Sequence, residues 1–167
     1  MSNFPPPRPQ PSYVARQKFA IVASQYNAEF VQGMVNAAQR TLEEIAPRSE
    51  LNLYEVPGAF EIPVVLQEVA AQGGCEAIIA LGVIIRGETA HADLIGRSIT
   101  DALQSIAMRF RIPVIHEVLL VDNEAQARER TLGEARNRGA EAAQAALQAA
   151  ETMHDIREAV AKGEKRA

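Results

Sequence analysis

This 167-residue sequence has only three lysines, three histidines and one cysteine, which limits the mechanisms open to it. A Schiff-base enzyme needs a lysine in a pocket, but Lys18 opens a predicted strand at its amino end, and Lys162 and Lys165 lie in the tail. The single cysteine, Cys75, lies at the amino end of another predicted strand with no base beside it, so we interpret it as incidental. None of the three histidines has a nearby zinc-binding partner, and we predict no metal site.

His91 is the candidate for proton transfer. It ends the segment Arg-Gly-Glu-Thr-Ala-His (86–91), between the most apolar run of the chain and a predicted helix. An imidazole titrates near neutral pH, and a strand end at the mouth of a sheet is open to substrate. The structural alternative is a histidine that caps the helix. In the same segment Gly87 permits a tight turn, and Glu88 and Thr89 lead into a helix N-terminus that could bind phosphate.

The segment Val-Pro-Gly-Ala-Phe-Glu-Ile-Pro (56–63) combines a rigid turn with the start of a helix. Such a turn leaves the backbone N–H groups of Ala59 and Phe60 able to face a ligand. The carboxylate of Glu61 could accept hydrogen bonds from sugar-like hydroxyls. Its alternative role is that of a helix N-terminal carboxylate stabilised by the helix dipole.

Two further residues have a chemical and a structural interpretation. Tyr26, after the first strand, could stack on a flat heterocycle, although an aromatic residue there more often plugs the core. Arg130 could bind a phosphate through its fork of donors. Because residues of both signs surround it, a solvated, salt-bridged helix face is the alternative.

Four short apolar runs predict the strands that position these residues. Each run is bounded by polar or turn residues and followed by a helical pattern, which indicates parallel strands with right-handed crossovers. We therefore predict an α/β fold, a flavodoxin-like three-layer α/β/α sandwich with a four-stranded parallel sheet. Ligands of such sheets bind outside the carboxyl ends of the strands, at loops 24–27, 57–61, 86–91 and 122–126. The predicted strands are 18–24, 51–56, 77–85 and 114–121.

Apolar residues spaced three or four apart predict the helices. Asn27 is expected to cap the first helix, and Pro47 to end it. The third helix is expected to bury one stripe and stop near Pro113. Gly133 and Gly139 are expected to break the remaining sequence into two helices. The predicted stripe of the first helix is Val31, Met34, Val35, Ala38, Leu42 and Ile45, and that of the third is Leu94, Ile95, Ile99, Leu103, Ile106 and Phe110.

The whole-chain composition favours one compact domain. Hydrophobic residues make up 47% of the sequence, and 17 Lys and Arg against 21 Asp and Glu give a formal net charge of −4 with no basic run. Nucleic acid and membrane are therefore not expected as partners. One cysteine and no apolar stretch of membrane-spanning length favour the cytoplasm. We divide the chain into a flexible, proline-rich arm (1–13), a single domain (14–161) and a charged tail (162–167).

Val-Pro-Gly-Ala-Phe-Glu-Ile-Pro and Gly-Val-Ile-Ile-Arg-Gly-Glu-Thr-Ala-His (82–91) together resemble the two most diagnostic stretches of the 6,7-dimethyl-8-ribityllumazine synthase family. The resemblance extends over roughly residues 18–153. It implies an enzyme of riboflavin biosynthesis that joins 5-amino-6-ribitylaminouracil to 3,4-dihydroxy-2-butanone 4-phosphate, with loss of phosphate and water. It also implies that no cofactor takes part.

The resemblance assigns roles to residues by position. His91 matches the proton-transfer histidine, Tyr26 matches the aromatic residue that stacks on the pyrimidine, and His116 stands where an aromatic residue usually reaches across a subunit boundary. The other implied contacts are Ala59, Phe60 and Glu61 for the ribityl chain, Ile84 and Ile85 for the ring pocket, and Arg86, Gly87, Glu88, Thr89 and Arg130 for the phosphate.

Several positions depart from the family pattern. His116 replaces the usual aromatic residue, and Ala92 follows His91 where an aromatic residue is frequent. Leu120 and Val121 replace a more hydroxyl-rich strand end. The segment Arg-Asn-Arg-Gly (136–139) stands where many members carry lysine before the glycine.

The resemblance implies a homo-oligomer with sites between subunits, either a pentamer or a shell of 60 subunits, and both alternatives stay open. Two other classes of protein compete with the enzyme. A response-regulator-like switch needs an acidic cluster after the first strand and a phosphorylatable aspartate near the third, and neither is present. A flavin-binding or shell-forming paralogue would retain the same pocket without turnover.

Overall fold

The computed structural model describes residues 8–12, 17–133 and 136–163. Within these residues, parallel strands alternate with α-helices, and a short 3₁₀ turn (Ala59–Glu61) precedes the second helix. The strands are β1 (Lys18–Ser24), β2 (Glu50–Val56), β3 (Ala77–Ile85) and β4 (Val114–Val121). The helices are α1 (Ala28–Ile45), α2 (Ile62–Gln72), α3 (His91–Phe110), α4 (Glu124–Thr131) and α5 (Arg138–Ala161).

The four strands form one parallel sheet in the order β2-β1-β3-β4. Phe19 lies opposite both Leu51 and Ala77, and Ile79 lies opposite Ile115. The order reverses between β1 and β3, which makes the carboxyl ends of these two strands the switch point where ligands of such sheets bind. The predicted flavodoxin-like α/β sandwich is confirmed.

Alternate residues of β1, β3 and β4 enter one of two apolar clusters, as the period of an extended chain requires, whereas β2 is exposed along most of its length. Phe19, Ile21 and Ile79 pack against α1 and α5, whereas Ala20 and Ile78 pack against α2 and α3. The two clusters give the sheet a covered face on each side. β3 is buried on both faces along most of its length, which explains its uninterrupted apolar sequence.

Asn27 does not cap α1 in the predicted way. It occupies the N-cap position in the left-handed conformation, with φ 57°, and its side chain forms no cap hydrogen bond. Its Nδ2 group instead donates to the carbonyl oxygen of Val83 at 2.8 Å. An asparagine tolerates this conformation better than most residues, so Asn27 joins the loop after β1 to the end of β3.

The predicted stripe of α3 is wrong at Leu94, which is 67% exposed. Ile99 and Leu103 are buried, and Ile95 packs partly buried against the same cluster. Ile95 keeps the four-residue spacing to Ile99, whereas Leu94 lies about 100° around the helix from Ile95 and leaves the apolar stripe.

Gly139 is not a helix break. It is the second residue of α5 and is buried. A Cβ atom placed there would lie 1.9 Å from the carbonyl oxygen of Met34 in α1. Gly139 is therefore required by the close packing of α5 on α1, and the break lies in the segment between α4 and α5, beginning near Gly133.

The described part of the proline-rich arm contacts the end of α1. The Ser12 N–H donates to the carbonyl oxygen of Ile45 at 2.7 Å, and Arg8 pairs with Glu44. In the predicted tail, Lys162 follows α5 and pairs with Glu158 at 3.0 Å. The remaining residues of the arm and tail, 1–7, 13 and 164–167, lie outside the described residues. No helix within the described ranges is long and apolar enough to cross a membrane.

Candidate active site

The four loops predicted to bind a ligand lie at one edge of the sheet, because all four strands are parallel. Hydrogen bonds join neighbouring loops directly. Gln25 N–H donates to Val56 at 2.8 Å, and Arg86 N–H donates to Val121 at 2.9 Å. We call residues 24–27, 57–61, 86–91 and 122–126 the loop edge.

One corner of the loop edge brings together Tyr26, Phe60 and Glu61. Tyr26 is 73% exposed and Phe60 60% exposed, so the alternative that Tyr26 plugs the core is wrong. A Cβ atom on Gly58 would lie 2.7 Å from Glu61 Oε2 and 3.7 Å from Tyr26 Cδ2. Glycine at position 58 therefore allows the carboxylate and the ring to approach the same turn. The corner offers an exposed aromatic face beside an acceptor of hydrogen bonds.

Glu61 does not cap α2. It occupies the N-cap position without a side-chain cap hydrogen bond, and its side chain is exposed. Ala59 lies half-buried in the same 3₁₀ turn. This turn contacts both β3 and α3, which brings the Glu61 corner next to the loop that carries His91.

The β3–α3 loop is open to solvent around His91. Gly87, Glu88 and Thr89 are exposed, and Ile84 and Ile85 are half-buried at the end of β3. Ala90 is the N-cap of α3 and His91 is its first residue, so the capping alternative for His91 is wrong.

The His91 ring forms no hydrogen bond to any residue in the described part of the chain. Its position at the first turn of α3 places it beside backbone N–H groups that have no acceptor within the helix. An imidazole and several free N–H donors therefore share one exposed helix end, an arrangement suited to proton transfer beside a bound anion.

Arg86 joins two loops of the edge through its guanidinium. It donates to Asp93 in α3 and to Asp122 after β4, both at 2.7 Å. These hydrogen bonds, that to Asp93 first, raise the pKa of Arg86, while Gln126 and then Arg86 lower the pKa of Asp122. In this arrangement the guanidinium binds two protein carboxylates.

Arg130 and its neighbour Arg128 differ in their surroundings. Arg128 is bonded to both carboxylate oxygens of Glu29, at 2.9 and 3.4 Å, and lies over the Phe30 ring. Arg130 is half-buried and forms no hydrogen bond or salt bridge with the described residues. The alternative of a salt-bridged helix face therefore describes Arg128 and not Arg130.

His116 lies in the amino-terminal half of β4, five residues before Val121. At ~3.3 Å per residue, this places it roughly 17 Å along the strand from the loop edge. Its own chain therefore does not bring His116 to that edge.

The His116 ring is fixed by two hydrogen bonds. Val118 N–H donates to Nδ1 at 3.2 Å, so the proton of the neutral ring lies on Nε2, which is 2.8 Å from Thr100 Oγ1. Thr100 in turn donates to the Gly96 carbonyl at 2.8 Å. Burial lowers the pKa of His116 and favours the neutral ring. Thr100 could not be identified from the sequence, because its partner His116 lies on another element.

Glu117, beside His116, faces the opposite side of the sheet. Its neighbours two residues away, Ile115 and Leu119, belong to the apolar cluster under α5. Burial raises the pKa of Glu117 to about 7, although Arg138 and Arg130 oppose the shift. Glu117 was not among the site residues predicted from the sequence, although a charged residue within an apolar strand was an available signal.

Two surface grooves lie away from the loop edge. One, of about 540 Å³, lies between the end of α3 and the middle of α5 and includes Met108, Pro113 and Met153. The other, of about 340 Å³, lies between α2 and α3. No group of three or more His, Cys, Asp or Glu side chains in the described ranges could hold a metal ion.

The switch-point sheet and its loop edge define the class of protein: an α/β domain with an exposed aromatic ring, a carboxylate and an imidazole at its ligand-binding end. The family model described as 6,7-dimethyl-8-ribityllumazine synthase matches residues 16–154. The chain belongs to this family of transferases of riboflavin biosynthesis.

A sequence relative agrees with this assignment. A Pediococcus pentosaceus protein named 6,7-dimethyl-8-ribityllumazine synthase is 33% identical over 147 residues, covering 87% of this chain and 92% of the relative. Among solved structures, a de novo designed Rossmann fold protein gives a TM-score of 0.38 at 14% identity, covering 68% of this chain and 91% of the designed one.

Proposed function

We propose that this chain condenses 5-amino-6-ribitylaminouracil with 3,4-dihydroxy-2-butanone 4-phosphate to give 6,7-dimethyl-8-ribityllumazine, phosphate and water. The observation that carries the proposal is the meeting of the two family motifs at one edge of the sheet, in a chain that belongs to the family. His91 and Glu61 lie in neighbouring loops of that edge.

The aminouracil occupies the corner between β1 and β2. Tyr26, which is exposed, stacks on the pyrimidine, and Ile84 and Ile85 line the ring pocket. The ribityl hydroxyls bond to the Glu61 carboxylate and to the backbone N–H groups of Ala59 and Phe60. The exposure of this corner supports the assignment, because a ligand could reach every one of these polar groups.

The phosphate occupies the other side of the edge. Gly87, Glu88 and Thr89 approach it through the backbone beside the first turn of α3, and Arg130 provides a guanidinium that has no protein partner among the described residues. Arg86 is also assigned to this region, where its bonds to Asp93 and Asp122 hold two loops in position.

In this reaction the protein mainly orients the two substrates and transfers protons. The 5-amino group of the aminouracil attacks the ketone carbon and loses one water to form an imine, and elimination then expels phosphate from the four-carbon fragment. The ribityl-bearing amine attacks the carbonyl that remains, and loss of a second water closes the ring. His91 moves protons at these steps, and the pocket holds the two substrates in reacting geometry. No electrons are gained or lost overall, so no redox cofactor is required.

The position of His116 supports a site shared between subunits. A residue some 17 Å from its own loop edge acts on a substrate only if a second copy presents it. We propose a cytoplasmic homo-oligomer, a pentamer or a shell of 60 subunits, in which His116 contacts the neighbour's pyrimidine.

A second candidate is a flavin-binding or shell-forming paralogue with little turnover. The replacement of an aromatic residue by His116 favours it, because a weaker stacking contact leaves a pocket that binds without orienting both substrates. Mixing purified protein with both substrates and following lumazine fluorescence separates the two candidates. Fluorescent product supports the synthase, whereas riboflavin binding without product from assembled protein supports the paralogue.

A further inference from the structure

Glu117 is a charged side chain in an apolar setting. It lies on the face of β4 that packs against α5, opposite Leu81 of β3 and between Ile115 and Leu119, two residues away on either side. It is half-buried and forms no hydrogen bond or salt bridge with the described residues. A carboxylate at such a position has lost water without gaining a close partner.

The charged groups that face Glu117 come from the two helices packed on β4. Arg130 of α4, with Arg138 and Glu141 of α5, acts on it electrostatically. Arg138 is already bonded to Glu141 at 2.7 Å. Arg130, by contrast, has no hydrogen-bonding partner in the described part of the chain, and it also acts on Asp122 at the loop edge. Arg130 therefore lies within electrostatic reach of both Glu117 and the edge.

We propose that Glu117 competes with the substrate's phosphate for the positive field of Arg130 and Arg138, so that protonation of Glu117 strengthens phosphate binding and its ionisation weakens it. The inference rests on the proposed function for the assignment of phosphate to Arg130. Glu117 is a positioning residue in this scheme, since it acts through Arg130 and Arg138 and does not touch substrate.

Glu117 changes its charge within the pH range in which most enzymes work. Burial raises the pKa of Glu117 to about 7, so the neutral form dominates below that pH and the carboxylate above it. The ionised carboxylate offsets one positive charge in a half-buried setting, where screening by water is weak. Anion affinity at Arg130 therefore falls as the pH rises through about 7.

Sulfate is the probe of choice because, unlike phosphate, it does not change charge near pH 7. Calorimetry at pH 6 and pH 8 should show sulfate affinity falling by at least about fivefold in the wild type, within the usual range of coupling between two sites. Glu117→Gln should bind sulfate at both pH values as tightly as the wild type does at pH 6. Histidine side chains also titrate between pH 6 and pH 8. The comparison is therefore repeated with His91→Asn added to the wild type and to Glu117→Gln.

Two control variants separate local from general charge effects. Glu129→Gln removes an exposed charge from α4, next to Arg130 in sequence, and should keep the wild-type pH dependence. Arg130→Gln should bind sulfate much more weakly at both pH values. An unchanged pH dependence in Glu117→Gln, or undiminished binding in Arg130→Gln, overturns the proposal.

A measurement on the wild type removes any doubt about the folding of the variants. By reciprocity, bound sulfate must raise the proton affinity of Glu117 by the same factor by which protonation raises sulfate affinity. The pKa of Glu117 rises by the logarithm of that factor, which carboxyl ¹³C NMR detects. A constant pKa overturns the proposal. If lumazine is not formed but sulfate binding follows Glu117, the proposed function fails, and the coupling of Glu117 to an anion at Arg130 stands without the assignment of that anion to the substrate. If lumazine is formed and sulfate binding ignores Glu117, only the inference fails.

Discussion

The loop edge and the amino-terminal half of β4 hold their polar residues in opposite ways. At the edge, His91 is exposed without a hydrogen-bonding partner in the described ranges, and Arg86 pairs with carboxylates in water. In β4, His116 is held by two hydrogen bonds, and Glu117 is half-buried among apolar side chains. Since exposed polar groups contribute little to stability and buried ones contribute strongly in either direction, we expect edge variants to change activity and β4 variants to change stability.

His91→Ala should break the proposed reaction while leaving the fold intact. Loss of a general acid or base typically costs about 10² to 10⁴ in kcat, and an exposed, unbonded side chain has little to contribute to stability. Steady-state lumazine formation and urea unfolding measure both effects. The matched control is His154→Ala, which removes an exposed histidine from α5. Equal activity in the two variants would show that His91 is not the proton-transfer group.

Glu117→Gln should have the reverse effect, stabilising the protein in a pH-dependent way. The folded-state pKa of Glu117 is raised from 4.5 to about 7, so the stability that the neutral Glu117 side chain retains is fully present below about pH 4.5 and is lost as the pH rises through 7. Glutamine does not ionise, and its advantage should grow from small at pH 5 to at most about 3 kcal/mol at pH 8.

The control for Glu117 is Glu55→Gln in β2, where the glutamate is exposed. Urea unfolding at fixed protein concentration, at pH 5 and pH 8, gives the comparison. A Glu117→Gln advantage that does not grow with pH would mean that the wild-type carboxyl stays neutral or finds a partner.

Thr100→Val tests how much the hydrogen bond between α3 and His116 of β4 contributes to stability. The valine removes the hydroxyl that faces His116 Nε2 and leaves a half-buried N–H without its acceptor, at a cost of about 1 kcal/mol in unfolding free energy at pH 7.5. Thr152→Val is closely matched, because Thr152 also donates to the carbonyl four residues earlier, that of Gln148. If both valine variants lose the same stability, the bond to His116 contributes nothing.

The fold was predictable because its signals are local. β1, β3 and β4 have the boundaries that their apolar runs predict, and β2 begins one residue earlier, at Glu50. The motif loops were also predictable, since parallel strands place their carboxyl ends at one edge. Contacts between elements could not be predicted from the sequence. The hydrogen bond from Asn27 to Val83 and the one between His116 and Thr100 depend on how distant segments pack.

The same limit explains Arg86. Its residue type and loop position suggested a phosphate ligand, and that role stays a prediction. Its two carboxylate partners are seven and 36 residues away in sequence, so local spacing gave no reason to expect that one guanidinium binds both. Gly139 shows a related limit, because a glycine near a helix start resembles a break unless the helix packed against it is known.

Arg86→Gln tests the loop edge and is the variant with the smallest expected change in stability. It removes the ion pairs to Asp93 and Asp122, whose side chains are all about half exposed. Surface pairs of this kind contribute little to stability, and less at high salt. The loss in unfolding free energy should therefore be small at low salt and smaller still in roughly 0.5 M NaCl, because salt screens the pairs. Arg128→Gln, which removes the exposed pair with Glu29, is the control and should behave alike. A much larger loss of unfolding free energy confined to Arg86→Gln would mean that the two loops depend on this guanidinium for their structure. The loop edge would then contribute to stability as β4 does, and the contrast between the two regions would no longer hold.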